Sequence, residues 1–235
     1  MLLYAPEGVK RIIALDGPVA AGKTAVGKAL AQRLGWRFLD TGAMYRAVAW
    51  AAWQRGISPS DGDALTALAN TLTIELVNGP DPRWLVDGQD VTPFLRLPQV
   101  EAIVSQVSAV PGVRRALVAR QRALAQEGNI IVAGRDIGTV VLPDAPLKVF
   151  LLASVETRAM RRWRELQALA NSTPPSLEEV RRALEERDRR DSTRTVSPLQ
   201  PAPDAVLLDT DPYTIEEVVQ RILALADQRW GKGRG

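Results

Sequence analysis

Apolar positions along this chain fall into two regimes. Some form short, mainly apolar runs suited to strands, two of them, Asn129 to Ala133 and Leu147 to Leu152, reading as buried strands; others return every three or four residues, as on one side of a helix. The run from Arg11 to Leu15 is of the first kind, as are Trp36 to Leu39, Asn129 to Ala133, Leu147 to Leu152 and Ala205 to Leu208. Ala25, Val26, Ala29, Leu30 and Leu34 open the second kind, which continues in Met44 to Trp53, Ser154 to Ala170, Leu177 to Asp191 and Ile215 to Gln228. Alternation of this sort predicts an α/β fold built on a mostly parallel five-stranded sheet flanked by helices. One region breaks the rhythm. Leu72 to Val77 and Arg83 to Val91 read as short antiparallel strands, with Asp87-Gly88 offering a tight hairpin turn. Pro98 to Gln126 is helical in pattern and divided by Pro111-Gly112.

Composition narrows the chemistry more than it names it. The 235 residues can bury a sizeable core. A net charge of +3 does not argue for a nucleic-acid partner. Of the 30 basic residues only Lys10, Lys23, Lys28, Lys148 and Lys232 are lysine. Such an arginine excess suits bidentate phosphate recognition, and equally a GC-rich genome. There is no cysteine and no histidine, which excludes disulfides, thiolate metal sites and the usual general base. Chemistry must therefore run on Lys, Arg, Asp, Ser or Thr and a bound cation. No apolar run reaches membrane-span length and MLLYAPEGVK has no signal-peptide layout, so no membrane partner and a cytoplasmic location are expected.

Gly17-Pro18-Val19-Ala20-Ala21-Gly22-Lys23-Thr24 matches G-x-x-x-x-G-K-[ST] in full, between a strand and a helix, where backbone N–H groups and the positive end of the helix surround a phosphate. Three further clusters choose among reactions. Asp40-Thr41-Gly42-Ala43-Met44-Tyr45-Arg46 follows the second strand and opens a helix; Asp40 or Thr41 suits an N-cap, and Arg46 suits a second anion. Gly134-Arg135-Asp136-Ile137-Gly138-Thr139 ends another strand; its arginine and aspartate suit either an ion pair or a ligand site, and its glycines permit close backbone approach. Glu185 to Arg194 puts Arg187, Asp191 and Arg194 on one helical face, either a solvated surface or an arginine flap before the proline-rich Thr195 to Pro203.

Taken together, IIALDGPVAAGKT, LDTGAMYR, GRDIGTVVLPDAP and ERDRRDSTR resemble the bacterial cytidylate kinases over nearly the whole chain. The resemblance implies a P-loop fold with a core at 9–60, 128–175 and 204–230, a monophosphate-side β insert at 61–127 and a helical lid at 176–203. It implies transfer of the γ-phosphoryl group of ATP, with Mg²⁺, to CMP or dCMP by a monomer. Gly17 to Ala25 would hold ATP and Thr24 would help place the metal, although the family usually has glycine after the lysine. Lys23, Arg135, Arg187 and Arg194 would act on the transferring group. Arg46 and Arg135 would clamp the CMP phosphate, with Asp40 and Thr41 beside them. Arg187 and Asp191 would meet the ribose, and Ser105, Arg114 and Asp136 would read cytosine. The acceptor is already an oxyanion, so no strong base is needed. Two other readings remain open: a P-loop kinase for another small acceptor, and a nucleotide-binding switch. The chain lacks the N-K-x-D element of guanine-specific switches.

Overall fold

A computed structural model gives the fold and describes residues 10–77, 82–169 and 175–231. The chain divides into two compact units, Met1–Leu39 with Glu127–Gly235, and Asp40–Gln126. In the first, β1 (Ile12–Asp16) leads to α1 (Lys23–Leu34) and β2 (Arg37–Asp40). The second holds α2 (Thr41–Gln54), α3 (Gly62–Thr71), β3 (Ile74–Val77), β4 (Arg83–Val86), β5 (Gln89–Asp90), α4 (Pro98–Ala109) and α5 (Pro111–Ala125). The chain then returns to the first unit with β6 (Ile130–Ala133), β7 (Leu147–Leu152), α6 (Val155–Leu169), α7 (Leu177–Thr193), β8 (Val206–Asp209) and α8 (Ile215–Trp230).

The large sheet has the order β2-β6-β1-β7-β8. β1 lies at its centre, parallel to β6 and β7, with Ile13 opposite Ile131 on one side and Leu147 on the other. Every residue of β1 and β6 is buried, which explains why both read as unbroken apolar runs. Ile13, Leu15, Leu30, Ile131, Leu151 and Ile222 form the core between this sheet and helices α1 and α8. Capping boxes start α7 at Ser176 and Glu179, and α8 at Thr214 and Glu217. α6 is described to Leu169; Ala170, its expected last residue, lies outside the described residues.

In the second unit β3, β4 and β5 form an antiparallel sheet. The tight turn expected at Asp87-Gly88 is present (φ 50° and 81°), and it divides the run Arg83 to Val91 into the antiparallel pair β4 and β5. Helix α3 has no counterpart in the sequence reading. Gly112 does more than divide the helical stretch: a Cβ there would meet Thr66 Oγ1 at 2.0 Å, so its bare backbone lets α5 lie against α3. Among the described residues no helix is long and apolar enough to cross a membrane.

Candidate active site

At the end of β1 the chain turns at Gly17 with φ 146°. A Cβ there would sit 2.4 Å from the carbonyl oxygen of Leu151, so only glycine fits. Ala20 (φ 59°) and Gly22 (φ 96°) bend the loop further. Gly22 is the N-cap of α1, where no side chain makes a cap bond and no acidic residue occupies the first turn, leaving the positive end of the helix to the loop. Lys23 is buried, and its Nζ donates to the carbonyls of Gly17 at 2.7 Å and Pro18 at 2.5 Å. Thr24 is half-buried in the first turn and Ala25 is exposed. Val19 packs on Ala159, Val180 and Leu184, the apolar seam between α6 and α7, so the loop is anchored on the helix expected to form the lid.

Beside β1, β6 leads into Arg135 and Asp136, followed by a single π-helical turn, Ile137–Val141. The Asp16 carboxylate accepts from the backbone N–H groups of Ile137 and Gly138, both at 2.8 Å. Burial pushes its pKa up to about 6; the two amides and Lys23 oppose the rise, and Asp136 adds to it. Gly138 does allow close approach, but to protein: a Cβ would lie 3.1 Å from the stem of Lys148. Arg135 Nε donates to Asp191 Oδ2, and Arg194 Nη1 lies 3.9 Å from Asp191 Oδ1. Burial alone would raise the pKa of Asp191, yet Arg135, Arg187 and Arg194 outweigh it and hold the carboxylate below its ordinary range. Arg194 stands just past α7 as its C-cap, and its Nε donates to the carbonyl of Ser197.

Helix α7, with the charged run at its end, therefore serves two faces. Outside, Glu178 pairs with Arg181 and Arg182, and Glu186 with Arg189 and Arg190, as a solvated helix would. Inside, Asp191 gathers arginines, while Asp188 accepts from Arg158 Nη1 at 2.6 Å. Arg158 Nε also donates to Ala153 O at 3.0 Å, and its Nη1 lies 3.4 Å from the carbonyl of Val19, linking α6, α7 and the phosphate loop.

The second unit holds the remaining expected residues. Asp40 occupies the N-cap of α2 without making a side-chain cap bond, and Thr41 opens the helix buried. Arg46 Nε donates to Glu101 Oε1 at 2.7 Å. Burial works against the Arg46 charge, but Glu101 and Asp40 raise its pKa above the ordinary value. Arg114 lies 5.4 Å over the ring of Tyr45 and donates from Nη1 to the carbonyl of Ser108 at 3.3 Å. Ser108 Oγ in turn donates to the carbonyl of Ser105, which joins Ser105 and Arg114 in one network.

The sequence reading missed Asp16, Glu101 and Arg158. Asp16 had a signal, a carboxylate ending a strand otherwise apolar throughout. Glu101 is a lone charge on α4 and Arg158 one of several arginines on α6, and nothing local distinguishes either from a surface residue.

Against known proteins, residues 13–228 match the cytidylate kinase family model. A bifunctional pantoate ligase/cytidylate kinase of Synechococcus sp. (strain JA-3-3Ab) is 51% identical over 94% of this chain, which spans 42% of that relative's length. A cytidylate kinase of Limosilactobacillus fermentum is 49% identical over 89% of this chain and 92% of its own. An uncharacterised protein from Eubacterium ventriosum, 12% identical, shares the fold with a TM-score of 0.52, covering 94% of this chain and all of its own. The family's phosphate loop, its GRDIG turn and its arginine-bearing helix all stand in one unit here, and the match runs through both units: the chain belongs to the cytidylate kinase family.

Proposed function

We propose that this protein transfers the γ-phosphoryl group of Mg-ATP to CMP and dCMP, giving CDP or dCDP and ADP, as a cytoplasmic monomer. One observation carries the reading beyond nucleotide binding. The unit that holds the phosphate loop also gathers Arg135, Arg187 and Arg194 around the buried carboxylate of Asp191. A nucleotide-binding switch has no need of such an arginine cluster, whereas phosphoryl transfer must neutralise charge on the moving group while excluding water.

The donor phosphates fit Gly17 to Ala25, where a bent loop and an open helix end present backbone N–H groups. Lys23, turned onto the carbonyls of Gly17 and Pro18, exchanges these for phosphate oxygens. Mg²⁺ takes few protein ligands and rests chiefly on substrate phosphates and water, a demand that the Thr24 hydroxyl in the first turn of α1 meets. When bound, the metal neutralises phosphate charge.

On the acceptor side a CMP phosphate oxygen forms the new bond to the γ-phosphorus as the bond to the ADP oxygen breaks. That oxygen is already ionised, which suits a chain without histidine. Arg46 and Arg135 take the CMP phosphate, with Asp40 and Thr41 at the same helix start. Arg46 then gives up Glu101, and Arg135 gives up part of its hold on Asp191. Arg187 and Asp191 take the ribose, and Arg194 approaches the phosphates from the lid. Ser105, Arg114 and Asp136 read the base: the C4 amino group of cytosine donates to a carboxylate, and its N3 and O2 accept from a guanidinium. Uracil turns a carbonyl oxygen toward Asp136 instead, and buried facing acceptors cost about 1 to 3 kcal/mol. Coupled ADP release measured with CMP, dCMP, UMP, AMP, GMP and shikimate separately tests this. Turnover confined to CMP and dCMP supports it, and a faster rate with any other acceptor overturns the base assignment.

A further inference from the structure

The turn that carries Arg135 and Asp136 is held by a residue to which the proposed reaction gives no role. Asp16 is 4% exposed at the end of β1. Its two carboxylate oxygens take the N–H groups of Ile137 and Gly138, 121 and 122 residues away in sequence. These amides begin the Ile137–Val141 turn, where backbone donors have no partner within the turn itself. Such donors are commonly met by the side chain at the N-cap, and aspartate is among the best residues for that duty. Asp136 stands at this N-cap and makes no cap bond. Asp16 makes the cap in its place, from the neighbouring strand.

On the other side of the dipeptide, the N–H of Gly134 donates to the carbonyl of Leu15 at 3.0 Å. Arg135 and Asp136 are therefore bracketed by Leu15 and Asp16, consecutive residues of a strand paired on both sides. The next residue, Gly17, starts the phosphate loop.

We propose that Asp16 is a positioning residue for monophosphate recognition. By capping the turn from β1, it fixes the backbone direction at Arg135 and Asp136, keeps the Asp136 carboxylate from folding back onto its own turn, and ties both residues to the strand that launches the phosphate loop. This rests on the assignment of the CMP phosphate to Arg135 and of cytosine to Asp136. Around the Asp16 carboxylate stand Asp136, of like charge, and Lys23, of opposite charge. The stem of Lys148 lies against Gly138, with its Nζ held by Asp204. Protonation of Asp16 removes one of its two acceptors, so the cap weakens as pH falls through about 6.

The test is Asp16→Asn, which keeps shape and one acceptor but turns an NH₂ group toward the second amide. The KM for CMP rises about tenfold or more, the CMP to UMP ratio in kcat/KM narrows, and the KM for ATP moves less than about threefold. With the titration of CMP's own phosphate, which also falls near pH 6, divided out, the KM for CMP still climbs below about pH 6 in the wild type, and in the variant this residual limb is absent. A purely structural role would lower thermal stability without moving the base ratio. A folded variant with the wild-type KM for CMP and wild-type base ratio overturns the proposal. Should the variant not fold, the wild type decides: the amide resonances of Ile137 and Gly138 titrate together with the Asp16 carboxyl resonance, and their failure to follow it removes the cap. A wild type inactive toward every monophosphate defeats the kinase reading instead, and leaves those resonances to judge Asp16.

Discussion

Asp191→Asn probes the charge cluster at its centre. The Asp191 side chain is 7% exposed, that of its partner Arg135 19%, and that of Arg194 11%. Removing one member of a buried pair generally costs about 3 to 5 kcal/mol, because the remaining charge is left desolvated. Asparagine keeps a carbonyl that can accept from Arg135 Nε, and the partial exposure of Arg135 lets water recover some of its charge, so about 2 kcal/mol is expected. The loss has a defined pH window. The folded pKa of Asp191 lies below the ordinary 3.8, so its contribution is fully present above that value and fades as pH falls through the lower folded pKa. Urea unfolding of both proteins at pH 7 and at pH 3 measures the gap, which must be wide at the first and shrink at the second. Three arginines deprived of their carboxylate also attract oxyanions, so millimolar inorganic phosphate should stabilise the variant more than the wild type. A gap under about 0.5 kcal/mol at pH 7, or one independent of pH, would refute the reasoning.

Other substitutions test separate parts of the site. Lys23→Ala should lower kcat about a thousandfold with circular dichroism unchanged, since it deletes the charge aimed at the transferring group; near-normal turnover would exclude the phosphate-loop role. Asp136→Asn should narrow the preference for CMP over UMP about tenfold in kcat/KM, because an amide can donate to the C4 oxygen of uracil; an unchanged ratio would place base reading elsewhere. Gly17→Ala should lower stability by about 3 kcal/mol in denaturant titration, given the 2.4 Å approach to Leu151 O and the positive φ. A shift under about 1 kcal/mol would mean that the loop relaxes easily.

How far the sequence was legible depended on range. Central strands such as β1 and β6 read clearly because both faces are covered, so every residue but the terminal Asp16 of β1 is apolar. The phosphate loop read clearly because its glycines answer local backbone demands, as at Gly17. Helix boundaries moved by a few residues where charged ends extend past the apolar stripe, as α7 does to Thr193. Helix α3 escaped because Gly62 to Thr71 buries only Leu65, Leu68 and Ala69, too thin a stripe to stand out. The π turn after Asp136 escaped for another reason: its cap comes from Asp16, and no periodicity records a hydrogen bond spanning 121 residues. Likewise, the pairing of Arg46 with Glu101 and of Arg158 with Asp188 is set by tertiary packing alone.

The central claim, selective phosphoryl transfer to a cytosine monophosphate, is tested most directly by competition in one vessel. Limiting ATP with Mg²⁺ is supplied to equal concentrations of CMP, dCMP, UMP, AMP and GMP, and the diphosphates formed are separated and counted. Accumulation of CDP and dCDP ahead of every other acceptor product, matched by ADP, is the expected result. Another diphosphate leading, or ADP accumulating while all five monophosphates stay intact, would contradict the account.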